Sequence, residues 1–268
     1  MYLCIDIGGT KTIVALVNPT GEILHYVKFP TIQDQKKYYN ILLQQIRVNF
    51  CISSIKAVSV AMPGIIKHNE AAWLPNLDWH DFNLCSMLKT EFGTPVYLGN
   101  DANLAALAEA HGLKGRSLYF TFSTGVGGGV VEDNQIPKRY ADFEPGHIQY
   151  VFDGKAQEWE DLAAASAIKK KYHKLIEEID DPAAWDDIIN RMLLGLVPLT
   201  TSIKPARIFF GGPIGLALNQ YRAKLRKAFR AALPSNIALP RLIVAKYGSL
   251  SVIHGCYLNA KAHEKSHR

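Results

Sequence analysis

Two carboxylates and two glycine turns are the residues of this chain best suited to chemistry. Asp6 is next to last in the apolar run YLCIDI (2–7), which leads into Gly8-Gly9-Thr10-Lys11, while Asp101 stands in GNDAN (99–103) at the head of an alanine-rich stretch. Backbone N–H groups come close to a phosphate chain only where no Cβ intervenes, so glycine turns serve as phosphate clamps. A carboxylate beside such a turn can hold hydrated Mg²⁺, which prefers octahedral oxygen ligands and retains waters. The second turn, STGVGGG (123–129), occupies the equivalent point of the second half of the chain. GxxxxGK[ST] is absent, so neither turn is a P-loop, and GVGGGV (125–130) lacks the GxGxxG order of a dinucleotide fold. One glycine hairpin has a purely steric reading; two at matching points, the first flanked by Asp6, Thr10 and Lys11, point to phosphate binding. Asp101 and Asn100 each keep two readings at this stage, as helix caps or as site residues.

The elements that must carry these groups follow from periodicity. Residues 2–7 and 12–18 read as a hairpin whose paired glycines permit positive φ, and a third strand follows at about 22–29. A helix of about fifteen residues from near Asp34, a strand at 55–61 ending at Pro63-Gly64, helical spacing at 82–92, a short strand at 96–98 and a helix over about 102–112 complete the first half. The second half repeats this order: strand, glycine turn and strand at 117–132, a third strand near 147–152, two helices within 158–200, strand 207–210, a helix, strand 241–245 and a terminal helix. The duplication predicts two α/β lobes around a cleft, residues 1–100 and 101–247, with a terminal helix at about 248–268 packing back on the first. The stretch from Lys67 to Asp81 is the main patternless loop, and its AAWLPNLDWH content suits a substrate loop.

Composition narrows the class. The 268 residues are 48% hydrophobic and 20% charged, as in a compact globular protein. Apolar runs such as 13–17 and 118–122 are far below the roughly 20 residues of a membrane span. Asp6 interrupts the apolar start as no signal peptide would allow, so the expected location is the cytoplasm. Cys4, Cys51, Cys85 and Cys256 are scattered, three of them in apolar surroundings, and read as reduced core thiols. The net charge of +6 is spread along the chain, with local clusters at helical spacing, so no nucleic-acid partner is expected.

The motifs DIGGTKT (6–12), PNLDW (75–79), GNDAN (99–103), STGVGGG (123–129), EPGH (144–147), WED (159–161) and FFGG (209–212) together resemble the ROK family, especially its glucokinase-like members. The resemblance implies an actin-like ATPase (ribonuclease H-like) duplicated fold and ATP-dependent phosphorylation of a hexose at its primary hydroxyl. It makes Asp101 the catalytic base, and Asn100, Glu144, His147 and Glu160, with Asn76 and Gly64, the sugar-binding set. Gly8, Gly9, Thr10 and Lys11 would meet the phosphates from one lobe and Thr124 and Gly125 from the other. Gly211 and Gly212 would lie beside the adenosine, and Asp6 would hold Mg²⁺, through water. Each residue also has a plainer reading: Glu144 as a turn residue, His147 as a core histidine, Asn76 as a turn former. Only register separates Glu160 from Glu158 and Asp161.

Zinc-containing relatives carry a cysteine cluster after ExGH, whereas YVFDGKAQEWED has no cysteine, so no structural zinc is expected and His147 needs another partner to orient it. The family's repressors add a DNA-binding domain before the first strand, and this chain opens on that strand, which disfavours a regulator. Glucose is the expected sugar; fructose, mannose, allose or an N-acetylhexosamine, polyphosphate as donor, and a non-catalytic sugar sensor are the rival readings. The apolar C-terminal helix is available for a homodimer interface.

Overall fold

The computed structural model describes residues 1–52, 55–67, 69–74, 77–80 and 82–266. The chain divides into two compact units, unit 1 (Met1–Ala108 with Leu250–Arg268) and unit 2 (Glu109–Ser249).

Unit 1 is built on a five-stranded sheet of order β3-β2-β1-β4-β7, formed by β1 (Tyr2–Ile7), β2 (Lys11–Val17), β3 (Ile23–Pro30), β4 (Ala57–Met62) and β7 (Val96–Asn100). The first three strands are antiparallel, whereas β1, β4 and β7 run parallel. Period-two alternation decides the faces: Leu3, Ile5 and Ile7 of β1 enter one core with Tyr38, Leu42 and Ile46 of α1 (Gln35–Asn49) and Leu84 and Leu88 of α2 (Leu84–Phe92). Tyr2 and Cys4 enter the other, with Leu104 of α3 (Asp101–Ala110) and Ile253, Cys256 and Ala260 of α8 (Ser251–Ser266). All six residues of β4 are buried, as befits a parallel strand covered on both faces. α8 lays Ile253, Cys256 and Ala260 on β1 and β4 within unit 1.

Two expectations change here. The stretch beginning at Lys67 is not patternless: β5 (Ile65–Lys67) and β6 (Glu70–Trp73) form a hairpin, and Leu77 and Trp79 are buried, Trp79 lying 4.6 Å from Tyr38 between ring centroids. Its polar residues hid a short strand. The paired glycines at 8 and 9 do not adopt positive φ.

Unit 2 repeats the sheet as β9-β8-β12-β13, from β8 (Arg116–Phe122), β9 (Val126–Glu132), β12 (Arg207–Gly211) and β13 (Arg241–Val244). Again one antiparallel pair is followed by parallel neighbours, the order of β2-β1-β4-β7. The third strand expected near 147–152 does not join this sheet. It is β10 (Gln149–Phe152), paired only with β11 (Lys155–Glu158). Asp153 and Gly154 between them have φ of 50° and 74°, the two consecutive positive values of a tight two-residue hairpin turn, and that local closure decides the partner.

Helices α4 (Trp159–Ala163), α5 (Ala165–Tyr172), α6 (Pro182–Ile203) and α7 (Gly212–Ala232) cover the unit 2 sheet. Trp159 is fully buried, edge-on to Phe120 and Phe122 at 5.4 and 5.5 Å, and donates from Nε1 to the Arg191 carbonyl at 3.0 Å. Gly195 of α6 faces its ring, and a Cβ there would lie 2.4 Å from the indole. No helix among the described residues is long and apolar enough to cross a membrane.

Because the indole is held on three sides, Gly195→Ala cannot be relieved by rotation. Overpacking of about 1–3 kcal/mol outweighs the gain in helix propensity. We expect the Tm in thermal unfolding to fall by about 3–8 °C.

Candidate active site

The parallel register of unit 1 assembles its half of the site. Asp6 pairs with Ala61 across β1 and β4, and Ala61 with Gly99 across β4 and β7, so Asp6 and Gly99 share one rung at the carboxyl end of the sheet. Two residues later Asp101 opens α3. Ligands of open α/β sheets bind at this edge.

Asn100 is buried and its carboxamide is employed locally. Its Oδ1 accepts from the Asn103 N–H at 2.9 Å, capping α3, and its Nδ2 donates to the Gly64 carbonyl at 2.8 Å. Gly64 itself is buried with φ of 90°, a conformation costly for any other residue. The cap reading of Asn100 is therefore realised in the fold, and it ties the loop after β4 to the head of α3. Asp101 Oδ1 accepts from the Ala102 N–H at 2.7 Å.

Asp6 and Asp101 are both shifted. Burial, then the negative charge of Asp101, push Asp6 up to about 7 against the opposing pull of Lys11. Burial raises Asp101 as well, opposed by hydrogen bonds from the Ala102 and Asp101 N–H groups. Two carboxylates in one poorly solvated corner, with Lys11 the cation acting on Asp6, suit a divalent cation that would relieve their repulsion. Beside them, the turn at 8–11 closes through Gly8 N–H to the Lys11 carbonyl at 2.9 Å, with Thr10 and Lys11 exposed and Gly9 partly so. Asn76 lies outside the described residues.

In unit 2 the turn between β8 and β9 closes through Ser123 N–H to the Gly125 carbonyl at 2.9 Å, leaving Thr124 exposed. A Cβ on Gly125 would sit 2.5 Å from Glu160 Oε2, a side-chain end that can shift, whereas one on Gly146 would meet the Val126 carbonyl oxygen at 2.4 Å as well as Glu160 Oε2 at 2.9 Å. Glu160 Oε2 also accepts from the Val126 N–H at 3.3 Å. Glu144 precedes a single 3-10 turn, Pro145–His147, that carries His147. His147 Nδ1 lies 2.9 Å from Glu158 Oε2 and 3.9 Å from Glu160 Oε1. Burial lowers the His147 pKa, but the bond to Glu158 and the charges of Glu160 and Glu144 outweigh it, and the net shift is upward. Gly211 ends β12 and Gly212, with φ of 72°, begins α7.

The structure thus brings together Asp6, Gly64, Asn100 and Asp101 in unit 1, and Gly125, Glu144, His147 and Glu160 in unit 2. Glu158, which the sequence offered only as a register alternative to Glu160, is the carboxylate that meets His147 Nδ1. The Asp153-Gly154 hairpin signal pointed to it, because the return strand of that hairpin ends at Glu158.

A carboxyl whose pKa in the folded state exceeds its ordinary 3.8 binds an extra proton on folding, so its contribution is favourable below that value and is lost as pH rises through about 7. Asp6→Asn escapes the loss. In metal-free buffer its Tm should exceed that of the wild type by several degrees at pH 8, with the gap closing toward pH 4.

The sequence profile of the ROK family matches residues 2–262. The chain is 30% identical over 244 residues to the fructokinase of Zymomonas mobilis, covering 80% of each chain. It is 30% identical over 267 residues to an N-acetylmannosamine kinase of Vibrio cholerae, covering 89% of this chain and 92% of that one. Its fold superposes with a TM-score of 0.81 on a ROK family glucokinase from Streptomyces griseus, solved with glucose and AMPPNP, at 22% identity over 97% of this chain and 99% of that one. The duplicated sheets, the strand-end carboxylates and a family match over nearly the whole sequence lead to one conclusion: the chain has the actin-like sugar-kinase fold and belongs to the ROK family.

Proposed function

We propose that this sugar kinase transfers the γ-phosphoryl group of ATP to the primary hydroxyl of a hexose, with glucose as the preferred acceptor. The observation that carries the reading is Asp101: a carboxylate at the head of α3, held by the Ala102 N–H and raised above the ordinary carboxylate range by burial. A base of raised pKa takes a hydroxyl proton more readily. Phosphoryl transfer needs positioning and charge neutralisation more than covalent help, so one such base suffices.

In this reading Asp101 accepts the proton of the hydroxyl as its oxygen attacks the γ-phosphorus in line and the bond to the β-phosphate oxygen breaks. Asn100, Glu144, His147 and Glu160 hydrogen-bond the other sugar hydroxyls, with Asn76 and Gly64 contributing to the same set. The N–H groups of the turns at 8–11 and 124–125 meet the phosphates, and Gly211 and Gly212 flank the adenosine. Asp6 would hold Mg²⁺, through water; the metal, when bound, neutralises phosphate charge. The Streptomyces griseus glucokinase, solved with glucose and AMPPNP, supports both substrates. The fructokinase and N-acetylmannosamine kinase relatives make the sugar the point to test.

Asp101→Asn should lower kcat by about 10²–10⁴-fold while changing the sugar KM less than about twofold. In the wild type, kcat/KM should fall on the acid side with an apparent pKa above the ordinary carboxylate value, since protonating Asp101 removes the base. A coupled ADP-release screen of hexoses with MgATP should give glucose the highest kcat/KM. Substantial turnover by the Asn variant would remove Asp101 from the role.

A further inference from the structure

His147 is held in an unusual setting. It sits on a single 3-10 turn, a backbone too short to fix a ring by itself, yet three carboxylates, Glu144, Glu158 and Glu160, act on it. Glu158 is within direct hydrogen-bond distance, Oε2 lying 2.9 Å from Nδ1. An ionised carboxylate only accepts, so Nδ1 must carry the proton in this pair.

Glu158 is well placed to impose that state. It pairs with Gln149 in the β10–β11 hairpin, and the adjacent Trp159 N–H donates to the Ile148 carbonyl at 3.0 Å. Trp159 is fully buried, so the carboxylates on either side of it, Glu158 and Glu160, are anchored by one immobile indole. Glu160 is engaged elsewhere, at the Val126 N–H and against Gly125 and Gly146.

We propose that Glu158 is the positioning residue of the sugar site: it fixes the His147 imidazole with Nδ1 protonated and turned toward β11, in the orientation in which the ring meets the sugar. This rests on the reading that His147 binds the sugar. In this chain a carboxylate hydrogen bond orients the ring. His147, Glu158 and Glu160 also offer ligand atoms within 4.8 Å of one another, so a bound transition metal is the rival that the experiment must separate.

The test uses the full chain labelled with ¹⁵N-histidine, the His147 ring signals being assigned by difference from His147→Ala. The wild type should show Nδ1–H at His147, and Glu158→Ala should shift the ring toward the Nε2–H tautomer. The same variant should raise the sugar KM about tenfold, taking as the scale the loss when the orienting partner of a metal-ligating histidine is removed. Its kcat and its KM for MgATP should stay within about twofold, and Glu158→Gln, which keeps an acceptor, should fall between. If His147→Ala raises the sugar KM while Glu158→Ala changes neither KM nor tautomer, the positioning role is wrong and the sugar-binding reading stands. If His147→Ala leaves the sugar KM unchanged, the underlying reading fails and the proposal with it. If 1,10-phenanthroline in excess Mg²⁺ reproduces the Glu158→Ala defect in the wild type, the three side chains hold a metal and the proposal is overturned.

Discussion

Two carboxylates at the same edge of one parallel sheet are the constraint around which unit 1 is organised. The β1–β4–β7 register puts Asp6 level with Gly99 and leaves Asp101 at the head of the next helix. Neither group is well solvated, and each raises a cost that a purely structural core would avoid. Under the proposed function that cost falls where it is useful: one carboxyl would be a stronger base, and the other an oxygen ligand whose binding energy for a cation would include relief of repulsion. Asn100 makes this tolerable locally. By capping α3 and tying Gly64 to it, the carboxamide fixes the backbone from which Asp101 projects.

Unit 2 solves a different problem, the exact placing of flexible polar side chains on short irregular segments. Exposed or half-exposed ion pairs contribute only about 0–1 kcal/mol and cannot by themselves hold Glu158 and Glu160. A buried tryptophan is worth several times that, and Trp159 stands between the two. The glycines at 125 and 146 then remove the Cβ atoms that would collide with Glu160. Packing therefore sets the polar geometry, and the hydrogen bonds refine it.

The two units share a sheet order although their loops differ. In each, a hairpin with a glycine turn is followed by parallel strands whose carboxyl ends carry polar groups. The extra antiparallel strand β3 is found in unit 1, while unit 2 spends the corresponding stretch on the β10–β11 hairpin that reaches His147. A local turn preference diverted the strand from the sheet to the site.

Fold class and family were legible in the sequence, because alternation, glycine turns and the DIGGTKT, GNDAN and EPGH motifs are local signals carried by contiguous residues. The two glycine turns and the strand-terminal Asp6 were visible for the same reason. What the sequence could not decide was any relation set by packing across distant segments. Examples are the closeness of Asp6 to Asp101, ninety-five positions apart, the employment of Asn100 as a cap rather than as a bare polar group, and the burial of α8 against its own sheet. The hairpin partner of β10 and the choice of Glu158 over its neighbours for His147 belong to the same class. Side-chain contacts and desolvation depend on which faces meet, and only the tertiary structure brings those faces together.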